Sequence, residues 1–197
     1  LIKGLLMHLK KLSRFKTTLI FFAFLLFGNN LFASERYTIA DSETLKFTYF
    51  VSGVPLYGEF HLDTSYFTID FTEEQQSMFY IKVDIRKSTA GFPLATRAML
   101  GASVLNANKY PFMEFKSTSI SKKDKGYRVS GWLKLKGTKK NIVILVFNKD
   151  RYKKNANTLK FEIMSSINRY DFGADGFPFL VSNEIKLNSN IELIREE

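Results

Sequence analysis

The chain has 197 residues, enough for one domain, and 45% are hydrophobic, so a sizeable core needs neither metal nor crosslink. The absence of cysteine excludes disulfides, thiolate metal sites, a cysteine nucleophile and a lipid anchor on cysteine within these residues. The net charge is +10, but Lys3, Lys10, Lys11, Arg14 and Lys16 lie in residues 1–33 with no acid beside them. Half of the excess therefore sits there and the rest is interspersed, which argues against nucleic acid as a partner.

Lys10, Lys11, Arg14 and Lys16 precede an apolar stretch, Thr17 to Gly28. Asn29 and Asn30 end it, and Leu31-Phe32-Ala33 stands before Ser34 as a cleavage site. This is the order of a secretory signal peptide. The alternative, an uncleaved anchor, is disfavoured because a ~30 Å hydrocarbon core takes about 20 apolar residues. Met7, just ahead of the basic cluster, is a candidate translation start. The expected organisation is a signal peptide over 1–33 and a β-domain over 34–197, periplasmic or secreted.

From Tyr37 onward apolar residues recur at every second position, the period of a strand with one dry face. Leu45, Phe47, Tyr49 and Val51 form the first run; Phe67, Ile69 and Phe71 the next; Phe79, Ile81, Val83 and Ile85 a third. Pro93 opens the one credible helix, about Phe92 to Ala102. Tyr127, Val129, Gly131, Leu133 and Leu135 alternate most cleanly, and Leu159, Phe161 and Ile163 follow. Ile185, Leu187, Ile191 and Leu193 close the series. Ile142 to Phe147 is instead continuously apolar, either a strand covered on both faces or one with exposed aliphatics. Turns are expected at Val54-Pro55, Lys122–Gly126, Lys136–Lys139 and Asp150–Asn157. Such alternation indicates antiparallel pairing, and about eight strands with one short helix suit a closed barrel or a sandwich.

Catalytic and metal chemistry finds little support. Once residues 1–33 are removed, His61 is the only histidine, on the outer phase of its strand, too little for a triad or a histidine metal site. Asp171 to Gly176 (DFGADG) is too short for an EF-hand loop. It reads as a turn with Gly173 and Gly176 at positive φ, a weak calcium site being the lesser alternative.

Several stretches, in order, resemble the YceI-like family of periplasmic polyisoprenoid-binding proteins. They are Tyr37-Thr-Ile-Ala-Asp41, Leu56-Tyr-Gly-Glu-Phe60, Ile81-Lys-Val-Asp-Ile85 with Ser88-Thr89, and Arg97-Ala-Met-Leu100. Asn108-Lys-Tyr-Pro-Phe-Met-Glu-Phe-Lys-Ser117, Val129-Ser-Gly-Trp-Leu-Lys-Leu-Lys-Gly-Thr-Lys139 and Ile167-Asn-Arg-Tyr-Asp-Phe-Gly173 complete the set. The resemblance implies an all-β, extended antiparallel lipocalin-like barrel, often dimeric, with an apolar tunnel for an isoprenoid chain and no catalytic residues. Relatives commonly carry an acid and then His-Leu where this chain has Ala98-Met99-Leu100.

The expected ligand is an isoprenoid lipid or quinone, with transient membrane contact and a homodimer as further partner expectations. Inward-phase candidates for the tunnel wall are Phe47, Tyr49, Phe60, Phe67, Ile69, Phe79, Ile81, Val83, Phe115, Val129, Leu133, Phe161 and Ile163, with Leu100 capping the slot. Ordinary core packing accounts for each of them equally well. Arg97 and Arg169 are candidates for a quinone or pyrophosphate head, the simpler alternative being surface salt bridges. Two other functions stay open: a secreted interaction module with a side-chain-filled barrel, and an enzyme acting on a lipid.

Overall fold

The alternation folds as expected in the computed structural model, which describes residues 34–39, 44–123, 125–149 and 156–196. The expected signal peptide lies outside the described residues. Among these the strands are β1 (Glu35–Ile39), β2 (Thr44–Val51), β3 (Val54–Ile69), β4 (Met78–Thr89), β5 (Phe112–Lys123), β6 (Gly126–Leu135), β7 (Thr138–Asn148), β8 (Thr158–Asn168) and β9 (Glu184–Arg195). One helix, α1 (Pro93–Leu100), joins β4 to β5.

The strands form one antiparallel sheet in the order β1-β3-β2-β9-β8-β7-β6-β5-β4, and β3 also pairs with β4, closing the sheet into a barrel. Tyr37 of β1 stands between Phe67 of β3 and Arg195 of β9, while Phe47 of β2 stands between Gly58 of β3 and Leu187 of β9. β1 and β2 therefore share one position in the wall, and nine strands make an eight-position barrel. That is the size at which an interior is filled by side chains or holds one slender ligand.

Local chemistry fixes the turns. Ser52-Gly53 and Lys136-Gly137 both take positive φ at two successive residues, the pattern of a two-residue type I′ hairpin. The first of these lies just before the expected Val54-Pro55 turn. Pro55 enters β3 instead, where that strand has β2 on one side and meets β4 only from Glu59 onward. A residue without an N–H is tolerated there. α1 starts at Pro93, whose missing N–H would have no helical partner anyway. The Thr96 hydroxyl accepts from Ala90 N–H at 3.0 Å, tying the helix to the end of β4.

Two glycines let aromatic rings lie flat on the inner wall. A Cβ at Gly58 would collide with the ring of Phe47, and one at Gly131 with the ring of Phe115 and the Lys116 carbonyl. In the DFGADG segment Gly173 takes positive φ as expected, but Gly176 does not; Phe177 does, at φ 57°. Gly176 is needed for closeness instead, since a Cβ there would strike Ser103 and Val104. The Ile142–Phe147 run resolves as exposed aliphatics: Ile144 and Val146 are buried while Leu145 points outward.

An ionic cluster decorates the outside of β4. Lys82 bonds Asp63 at 2.9 Å, and Arg86 Nε and Nη2 fork onto the nearly buried Asp84 carboxylate at 2.9 and 2.8 Å. The Arg86 guanidinium holds the Asp84 carboxyl below the usual range, outweighing the opposing effect of burial. A depressed folded pKa adds stability that is complete above the unfolded value of about 3.9 and is lost as pH falls through the lower folded one. Acid melts should therefore show a loss of stability below about pH 4 that Asp84→Asn reduces. In urea, Gly131→Val is expected to lower unfolding stability by about 1–3 kcal/mol through overpacking against Phe115.

Candidate ligand-binding cavity

The inward faces do not fill the barrel. Three cavities are stacked along it, of about 330 Å³ at the end bearing α1, about 140 Å³ in the middle and about 240 Å³ at the far end. They share walls. Phe47, Met99, Val104, Arg169 and Ile185 border both the helix-end and middle cavities, while Ile81, Phe115, Ile144 and Ile163 border both the middle and far ones. Side chains shared between neighbouring cavities, Arg169 among them, thus stand between the three.

The sequence candidates distribute along this interior. Tyr49 lines the helix-end cavity and Phe47 both it and the middle one. Phe60, Val83 and Leu133 line the middle cavity, and Ile81, Phe115 and Ile163 stand at its junction with the far cavity. Phe67, Ile69, Phe79, Val129 and Phe161 line the far cavity. Leu100 lies outside these walls, beside Arg97 in a shallow outer hollow. Helical spacing explains why: Ala95, Ala98 and Met99 share the inward face of α1, and Met99 takes the place expected of Leu100.

Other wall residues were not singled out from the sequence. Met113 has the same phase as Phe115, and period two alone points to it. Ile144 is hidden inside a continuously apolar run. Val104 and Leu105 come from the irregular segment after α1, where no period exists to read.

Polar groups lie toward the two ends. In the far cavity Asp70, Glu74, Ser77 and Tyr127 interrupt the apolar wall. Asp70 Oδ1 accepts from the backbone N–H groups of Thr72 and Glu73 at 2.8 and 2.7 Å, and the Tyr127 hydroxyl donates to Glu74 at 3.0 Å. Glu74 also pairs with Lys122 at 3.5 Å, so the carboxylates at that end are partnered. Arg169, only 4% exposed, stands between the helix-end and middle cavities. Its Nε donates to Ser182 O at 2.9 Å, Nη2 to Val181 O at 2.9 Å, and Nη1 to Gly176 O at 2.8 Å and to Ala174 O. Burial lowers its pKa, yet a guanidinium stays charged in proteins. Arg169 is thus no surface salt-bridge residue; it ties segment 174–182 to the barrel and leaves one Nη2 hydrogen uncommitted among these bonds. Arg97 is exposed on the outer side of α1. Tyr49 donates its hydroxyl to Ala90 O at 2.8 Å, and burial raises its pKa, keeping it a neutral donor. Among the described residues no group of three His, Cys, Asp or Glu side chains could hold a metal ion.

An eight-position antiparallel barrel with an apolar, segmented interior and a single helix defines a lipocalin-like protein. The sequence matches the YceI-like domain over residues 37–193, and the chain belongs to that family. Solved structures agree on the fold. BcnA of Burkholderia cenocepacia is 19% identical, with a TM-score of 0.66 over 76% of this chain and 94% of that one. A YceI protein of Campylobacter jejuni is 20% identical, with a TM-score of 0.60 over 71% and 84%. A polyisoprenoid binding domain from Saccharophagus degradans, implicated in plant cell wall breakdown, is 13% identical, with a TM-score of 0.57 over 83% and 100%. No curated protein matches the chain.

Arg169→Met should strip four carbonyls of their donor, at about 1–3 kcal/mol for each that water does not reach. Unfolding stability is expected to fall by at least about 2 kcal/mol, and proteolysis of the native protein should begin within 174–182.

Proposed function

We propose that this protein is a non-catalytic carrier or store of a long isoprenoid lipid, a quinone or a polyprenyl phosphate, held along the barrel axis. The observation that carries the reading is the run of three cavities along the barrel, parted by apolar side chains alone at the far junction and by apolar side chains with Arg169 at the helix-end junction. Ile81, Phe115, Ile144 and Ile163 have rotamers to give, so a thin flexible chain threads where a rigid ring system would not. Their individual volumes fall at or below the ~300–1,000 Å³ of small-molecule sites, and together they enter that range.

An isoprenoid tail has almost no hydrogen-bonding groups, so its affinity rests on apolar burial, at about 25 cal/mol per Å². A tail of about 40 carbons, at about 0.3 kcal/mol per atom, gains about 12 kcal/mol, close to nanomolar affinity. Arg169, with its uncommitted hydrogen, favours an acceptor near the helix end. The tail tip therefore points to Asp70 and the head to Arg169. Arg97, outside the walls, meets the head only beyond the mouth. A basic and then apolar N-terminal stretch followed by Ala33-Ser34 supports export and cleavage, and with them a periplasmic or secreted carrier.

Ile163→Trp tests the threading. It should lower affinity for an isoprenoid of about 40 carbons roughly tenfold, about 1.4 kcal/mol, and spare a chain of about 15 carbons that fits the helix-end cavity. Titration by tryptophan fluorescence with both ligands reads this directly. Equal losses for both chain lengths, with about 1–3 kcal/mol of lost stability, indicate a packed core and no passage.

A further inference from the structure

Three segments meet at the helix end: 50–57 at the β2–β3 hairpin, 90–101 across α1, and 176–183 before β9. Val51 bridges to Val181, Ser52 N–H donates to Leu180 O at 2.9 Å, and Ser182 N–H to Phe50 O at 2.9 Å. Tyr49 holds Ala90 through its hydroxyl, and Gly91 lies so close to the Tyr57 carbonyl that no Cβ fits between them. The segments are therefore one surface. The chain as a whole is 24% charged, yet these three segments hold a single charged residue, Arg97, and no acid.

Seven of their large apolar residues are exposed. Phe179 is fully exposed, Leu94 is 71% and Tyr57 68% exposed, and Val54, Phe92, Phe177 and Leu180 are exposed as well. Phe92 and Leu94 on one side and Phe177 and Leu180 on the other also line the helix-end cavity, which opens between them. Pro55, Pro93 and Pro178 stiffen one segment each. A lip of rigid apolar tips around the mouth of an apolar cavity has two natural occupants, a lipid bilayer or a second copy of the chain. Charge decides between them. In a two-fold pairing the three segments offer Arg97 no acid, and Asp175 and Glu184 stand only at their edge. At a bilayer the same tips enter the acyl boundary, Tyr57 sits at the headgroup level, and Arg97 meets phosphate.

We propose that this lip docks on a bilayer, so that a lipid passes between α1 and the 177–180 loop without crossing water. The proposal rests on the lipid-holding function above, and vesicle binding separates the two. The protein, expressed from the full sequence for export, is floated with vesicles of phosphatidylethanolamine and phosphatidylglycerol, with and without an isoprenoid quinone. Val54→Asp with Phe179→Asp is the test variant, because neither side chain lines a cavity. The wild type should float with empty vesicles, and the double variant at least tenfold less. The variant should take up quinone from vesicles at least tenfold more slowly while binding detergent-dispersed quinone as the wild type does. Equal flotation of the two proteins overturns the docking. So does a wild-type dimer by sedimentation that the double variant splits, with no flotation of either. Flotation without quinone binding in detergent upholds the lip and removes the carrier function.

Discussion

The pairing of β3 with β4, the last strand of the order, closes the sheet, and the interior exists only because of it. Without that seam the inward Phe, Ile and Val side chains would have to pack against a second sheet, and the three cavities would be gone. The seam is irregular. Register shifts between Glu59 and His61 and between Leu62 and Thr64 bend β3 where it leaves β2 for β4. Those shifts let a sixteen-residue strand serve three neighbours, β2 and β1 on one side and β4 on the other, and complete a ring of eight positions.

Closure also dictates where charge can go. Among the described residues that line the cavities, Arg169 and Asp70 are the buried charged side chains, and each bonds to backbone, carbonyls for the cation and N–H groups for the anion. Asp70 lies at the far cavity and Arg169 at the junction of the middle and helix-end cavities, so the interior carries opposite charge toward its two ends. Outside, lysine and acid pairs such as Lys82–Asp63 keep the wall wet. The lip at the helix end is the exception, and its lack of charge is as much a local property as the apolar wall it surrounds.

Much of this was legible in the sequence, because a half-buried strand writes its geometry as a period of two. The phases of Phe47, Phe67, Ile81, Val129 and Phe161 all read correctly to the inner face, and the ordered family motifs pointed to the barrel. Legibility failed where another constraint outranked the period. Leu145 sits on the wet face of an apolar run, Met99 displaces Leu100 because a helix turns by 100° per residue, and Phe177 takes the strained φ that Gly176 was expected to hold. Whether the barrel is hollow was not legible at all. Ring positions over Gly58 and Gly131, and not residue type, decide how much space is left between facing walls.

The central claim is that a lipid fills that space, and the most direct test is to purify the exported protein without detergent. Native mass spectrometry with lipid extraction then reads its contents. One isoprenoid per chain is expected, removed by organic solvent and regained when quinone or polyprenyl phosphate is added. A chain that emerges empty and refuses both ligands would contradict it, leaving a hollow barrel with another occupant or an interior that closes in solution.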